Sequence, residues 1–180
     1  EGIMKKLLGI LVLGLLLGGN AFSKDEASYH GVPMVHDNLF YMGVAYHDKP
    51  HKLLDMFEIL IYGNNPETID SEDGRYFTRT GCKPRDCGNK GLLWIDRKNK
   101  VGIGVIKHSF WGTYDTPLEM EDSYKVGQIF IFSNYFEDSK DFPDEFIKTY
   151  SNWIKNKKIK PSLYRFLNSK NELKQLSQIK

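Results

Sequence analysis

Between Arg75 and Ile106 the chain carries three β-rich runs separated by two breaks, and this stretch constrains the fold more than any other. Arg75-Tyr76-Phe77-Thr78-Arg79-Thr80 is rich in aromatic and β-branched residues, which suit a pleated, half-buried surface. It leads straight into Gly81-Cys82-Lys83-Pro84-Arg85-Asp86-Cys87-Gly88-Asn89. Gly91-Leu92-Leu93-Trp94-Ile95 and Val101-Gly102-Ile103-Gly104-Val105-Ile106 follow, on either side of the polar Asp96-Arg97-Lys98-Asn99-Lys100, and predict a β-hairpin. Gly102 and Gly104 share one face of their strand, which leaves room for large side chains opposite or for a bend. Gln128-Ile129-Phe130-Ile131-Phe132 predicts a fourth, buried strand, and 110–125 reads as either a further strand or a surface loop.

Helical periodicity brackets these strands. Leu53, Leu54, Phe57, Leu60 and Ile61 predict a helix over Lys52 to Tyr62, ended by Gly63-Asn64-Asn65-Pro66. Asp70 to Gly74 reads as a turn-rich connection. A second helix is expected from Pro143 at its first position, with Asp144 and Glu145 at the positive end of its dipole and Lys155, Lys157 and Lys158 at the negative end. Phe146, Ile147, Tyr150, Trp153 and Ile154 form its apolar stripe. Leu163, Phe166 and Leu167 keep helical spacing, so a peripheral helical extension is expected from about residue 161. Residues 24 to about 50 read as an irregular arm with one short strand near Phe40 to Ala45. The sum predicts an α+β domain: a mostly antiparallel sheet, helices packed on one face, and a protruding disulfide-closed loop.

The first residues set the compartment. Met4-Lys5-Lys6, the apolar run Leu7 to Leu17, the small residues around Ala21 and Ser23, and the polar Lys24-Asp25-Glu26 follow the layout of a secretory signal peptide. The apolar run is about 11 to 15 residues, short of the roughly 20 that a spanning helix needs. The expectation is therefore a signal peptide over residues 4–23, an exported, periplasmic domain over 24–180, and no stable membrane insertion after cleavage. A length of 180 residues suits one domain with its own core. The formal net charge of +2 shows no cationic excess of the kind that marks a nucleic-acid binder.

Export decides how the cysteines are read. The sequence holds only Cys82 and Cys87, so an oxidising compartment favours a bond between them. The ring is short, and its loop-entropy contribution is about 2 kcal/mol. Its main effect is local, fixing the conformation of Lys83, Pro84, Arg85 and Asp86, with Pro84 adding stiffness. A rigid charged tip fits a preorganised binding element, because little ordering entropy remains to be lost on docking. A stapled hairpin with a solvated tip and no partner fits the same residues.

The segment resembles the Ivy family, periplasmic inhibitors of C-type lysozymes, whose signature is Cys-Lys-Pro-His-Asp-Cys followed by glycine and a hairpin. Cys82, Lys83, Pro84, Asp86, Cys87 and Gly88 match it, and the matching context runs from about Arg75 to Ile106. The resemblance implies a non-enzymatic protein that inserts this loop into the cleft of a lysozyme and engages its two catalytic carboxylates, one protonated and one ionised. The chain departs from the family at Arg85, which stands where the family has His. Arginine is a permanent cation whose planar fork pairs bidentately with carboxylates. The binding role thus falls to Lys83, Pro84, Arg85 and Asp86, with Cys82 and Cys87 holding their shape. The implied partner is a lysozyme-type or lytic transglycosylase-type glycosidase. No cofactor and no metal are expected, and a homodimer is compatible with the reading. Two other classes fit the composition: an envelope or peptidoglycan-binding module without inhibitory activity, and an exported thiol–disulfide protein.

The remaining signals favour structural roles. His47 and His51 have helical metal-ligand spacing, but Pro50 between them breaks such a helix. Glu119, Glu121 and Asp122, and Asp138 with Asp141, are acid groups in charge-rich segments rather than a framed glycosidase pair. Redox pairs favour two intervening residues and a helix N-terminus, whereas four residues separate Cys82 from Cys87 between strands. Trp94 and Trp153 are expected in the core, and His108 as a surface or packing residue.

Overall fold

The computed structural model describes residues 26–29, 32–36, 41–44, 47–108, 127–161 and 163–179, with backbone alone described up to residue 52 and at Asp86. The signal-peptide expectation, the reading of 110–125 and the acids at 119–122 lie outside these residues. Two short hairpins come first, β1 (Glu26–Tyr29) with β2 (Val32–His36) and β3 (Tyr41–Val44) with β4 (His47–Lys52). His47 and His51 therefore lie on a strand, which removes the helical metal spacing.

Helix α1 (Leu53–Ile61) leads into a seven-stranded sheet. Its strands are β5 (Asn64–Asp70), β6 (Tyr76–Lys83), β7 (Asp86–Asp96), β8 (Val101–His108), β9 (Gln128–Phe132), β10 (Leu163–Leu167) and β11 (Leu173–Leu176). They lie in the order β11-β10-β9-β8-β7-β6-β5. Every neighbouring pair is antiparallel except β9 and β10, which run parallel and are joined through α2 (Asp144–Asn156). Pro143 occupies the cap of α2 rather than its first turn, one residue earlier than its sequence suggests.

The fold is α+β as expected, but the two α-helices among the described residues lie on opposite faces of the sheet rather than sharing one. Leu93, Ile95, Ile106, Phe130 and Phe132 point to α1, where Phe57, Leu60 and Ile61 meet them. Leu92, Trp94, Ile103, Val105, Ile129 and Ile131 point the other way, onto Phe146, Tyr150 and Trp153 of α2. The reason is visible in β7 and β9, where Leu92 to Ile95 and Ile129 to Phe132 are unbroken apolar runs. A strand that is apolar in both directions needs cover on both faces, and the parallel β9–β10 pair needs a crossover, which α2 supplies.

The helical extension expected from residue 161 is absent. Residues 163–167 form β10, beside β9, and 173–176 form β11 at the sheet edge. Phe166 belongs to the α2-side core and Leu167 to the α1-side core, so both are buried although they are consecutive. The spacing of Leu163, Phe166 and Leu167 thus imitates a helix in a strand that is covered on both sides. Asn168 fixes the turn that follows: its side chain donates to Glu137 O and Glu172 Oε2 and accepts from the backbone N–H groups of Lys170 and Glu172.

Close packing fixes the end of the sheet that carries the loop. Gly81 of β6 pairs with Gly91 of β7. A Cβ at Gly81 would stand 2.4 Å from Leu60 O, and one at Gly91 would stand 2.8 Å from the Leu60 Cβ. The two glycines form a dimple that receives the last turn of α1, and any larger residue would push the helix off the strands.

Candidate functional site

The β6–β7 hairpin ends in the Cys82–Cys87 disulfide, with Cα atoms 4.9 Å apart. Lys83 pairs with Asp86, leaving Pro84 and Arg85 as the two-residue tip. Proline at the first central position fixes φ, and Arg85 at the second has φ 65°. This is the combination a type II turn uses. The glycines flanking the motif suggest the place where the chain turns sharply, yet the left-handed residue is Arg85. Gly81 lies in regular pairing within β6.

Below the tip, Cys82 pairs with Lys90, so Cys87, Gly88 and Asn89 are extra residues on β7 with no opposite number on β6. Asn89 is buried, while Cys87 and Gly88 are exposed. Two lysines brace the shoulder from below. Lys90 Nζ donates to Cys87 O, and Lys107 Nζ donates to Gly88 O at 2.6 Å. Lys90 and Lys107 are cross-strand partners, and like charges placed so destabilise a sheet. Here the hydrogen bonds to the two carbonyls direct both ammonium groups at the loop.

The sequence-derived site residues are thus brought together. Cys82 is buried and Cys87 exposed; Lys83 is half-buried; Pro84 and Arg85 are exposed. With Lys90 and Lys107 behind them, the end of the hairpin is predominantly cationic. The other acid pair considered has a local role: Asp138 caps a short 3-10 turn by accepting from Lys140 N at 3.1 Å. Trp94 and Trp153 are core residues, and His108 is buried rather than on the surface.

Beside the disulfide lies a feature that the sequence does not announce. A pocket of about 100 Å³ opens between the loop base and the end of α2, lined by Thr80, Cys82, Cys87, Lys90, Trp153 and Lys157 among others. Among the described residues the buried Trp153 Nε1 has no hydrogen-bond partner. Lys157 Nζ bonds Glu67 Oε1 of β5 at 2.8 Å, and Thr80 Oγ1 meets Glu67 Oε2 at 3.5 Å. The Lys157 hydrogen bond holds the Glu67 carboxyl below the usual carboxylate range. Glu67, Thr80 and Lys157 come from three elements far apart in sequence, so no local spacing could have linked them.

Comparison with family models, with curated proteins and with solved structures finds no match for the chain.

Proposed function

We propose that the chain is an exported, non-enzymatic inhibitor that blocks the active-site cleft of a lysozyme or related peptidoglycan-cleaving enzyme with the Cys82–Cys87 loop. The observation that carries this reading is the tip itself: an exposed Pro84–Arg85 turn, closed by a disulfide and braced by Lys90 and Lys107. Arg85 is the cation presented to the acids of the cleft, and Lys83 and Asp86 flank it. A guanidinium pressed between a protonated and an ionised carboxyl pairs with the ionised one, occludes substrate, and disturbs the division of roles on which glycoside hydrolysis depends.

The loop's setting supports a structural disulfide over a redox-active one. Cys82 is buried, and both cysteines lie in strands rather than at a helix N-terminus, where thiolates are stabilised. The periplasm is the proposed compartment, since such a disulfide persists there.

The deciding experiment is lysis of peptidoglycan by a panel of C-type lysozymes, phage muramidases and lytic transglycosylases, with the wild-type protein and with Arg85→Ala. Inhibition of one enzyme by the wild type, lost in the variant, is the expected result and names the partner. Inhibition of none by the wild type overturns the proposal and leaves an envelope-binding module, which a pull-down on purified peptidoglycan identifies.

A further inference from the structure

We infer that the pocket beside the disulfide is a binding site for a small carboxylate, held by Lys157, Thr80 and the indole N–H of Trp153. This site is separate from the loop tip and does not depend on the identity of the tip's target.

Three observations converge. The first is the unpartnered donor. Trp153 is 5% exposed and its Nε1 lacks an acceptor, although it lines an open pocket. A buried donor without an acceptor costs free energy, and an indole N–H can only donate, so what it lacks is an acceptor. The second is the composition of the wall. Lys157 follows Trp153 by one helical turn and shares its face of α2. Thr80, Cys82 and Lys90 lie on the face of the sheet that α2 covers, in register with Leu92 of the α2-side core. Lys90, Lys157, Thr80 and Trp153 therefore line one cavity, and among the described residues no Asp or Glu is part of its lining. The helix end contributes about half a unit of negative charge, which Lys155, Lys157, Lys158 and Lys160 outweigh.

The third observation is a carboxylate already in place. Glu67 reaches over from β5 and puts one oxygen on Lys157 and the other toward Thr80, which are two of the residues that line the pocket. Its strand is exposed along its whole length and forms the edge of the sheet, with a register break between Asn64 and Glu67. Glu67 thus shows which ligand chemistry these two side chains accept, from a position outside the pocket. An incoming carboxylate competes with it for Lys157 and also reaches the Trp153 N–H, which Glu67 leaves unbonded. Size limits the ligand. Apolar cavities of about 150 Å³ hold benzene, so about 100 Å³ takes a group of acetate to propionate size. The disulfide and the indole give its methyl end an apolar wall.

The test uses the intact protein and the indole N–H signals in a proton–nitrogen NMR spectrum, assigned with Trp153→Phe. Acetate and then propionate replace chloride at constant ionic strength. The Trp153 signal is expected to move downfield and saturate, while that of Trp94, which does not line the pocket, stays in place. Lys157→Gln should weaken binding about tenfold, the effect of losing one hydrogen bond to a charged group. Thr80→Val should weaken it less, and Glu67→Gln should strengthen it by removing the competitor. A Trp153 signal indifferent to acetate overturns the inference, as does a shift unchanged in both Lys157→Gln and Thr80→Val. Because the assignment variant removes a core side chain, these two substitutions at the pocket wall keep the test decisive if Trp153→Phe fails to fold.

Discussion

Cys82 and Cys87 are bonded across a mismatch in the β6–β7 ladder, Cys82 being the last residue in regular pairing and Cys87 the first of three residues on β7 that have no opposite residue on β6. The bond ties these extra residues to β6, and the lysine contacts to Cys87 O and Gly88 O add to their hold. Removing it with Cys82→Ser/Cys87→Ser is expected to lower stability by about 2 kcal/mol, the entropy of so short a loop. Inhibition should fall much further, because the tip must then be ordered on docking. Urea unfolding and the lysis assay measure the two effects on one sample. Losses of equal size would sink the preorganisation argument.

Arg85 offers a cleaner separation of fold from binding. A non-glycine residue at φ 65° bears a steric cost that glycine does not. Arg85→Gly relieves about 1 kcal/mol of it and returns a similar amount through the greater freedom of the unfolded chain. Its stability should match wild type to within about 0.5 kcal/mol, while inhibition disappears. Arg85→Val adds a β-branched side chain where the backbone tolerates it least, and should lower stability by about 1 kcal/mol or more. Equal Tm values for the two variants would show that the tip relaxes out of this turn.

Gly104 is paired with Phe132, whose ring lies over it: a Cβ there would stand 2.2 Å from the ring. Phe132 is fully buried and packs edge-to-face on Phe57 of α1 at 4.9 Å between ring centres, so it has nowhere to retreat. Gly104→Ala should therefore cost about 1–3 kcal/mol as overpacking. In a Phe132→Leu background the same change should cost less, giving a measurable coupling between the sites. Additive losses in urea unfolding would place the ring elsewhere.

The β7–β8 hairpin and both helices are legible in the sequence because their burial is periodic or their turns are polar. The room above Gly104 is legible for the same reason, as one face of an alternating strand. β5 is not: all of its residues are exposed, it contains Pro66, and an edge strand needs neither alternation nor a full set of donors. β10 misleads, because a strand buried on both faces loses the period of two and Leu163, Phe166 and Leu167 then fall at helical spacing by chance. The motif announces the tip of the loop. Its surroundings, with Trp153 and Lys157 from α2 and Glu67 from β5, exist only once the sheet order is set.

Asp96 closes the other end of the same hairpin and supplies the acid response of the fold. Its side chain is 4% exposed, and its carboxylate pairs with Arg75 at 2.7 Å and accepts from Lys98 N, Asn99 N and Asn99 Nδ2. Burial pushes its pKa up, but the Arg75 bond and the turn N–H groups together outweigh it and leave the carboxyl below its ordinary value. A depressed folded pKa means that the stabilisation is complete above the unfolded value of about 3.9 and is lost as pH falls through the lower folded value. Asp96→Asn should therefore cost about 2–3 kcal/mol at pH 7, somewhat less than the roughly 3–5 kcal/mol of a fully buried broken pair, since Arg75 remains a third exposed. The gap between variant and wild type should narrow steadily below about pH 4, as the wild-type carboxyl takes up its proton. Urea unfolding of both proteins across that range is the measurement. A gap that stays constant down to the acid limit would mean that the loss at pH 7 comes from packing in the turn and not from the charge on Asp96.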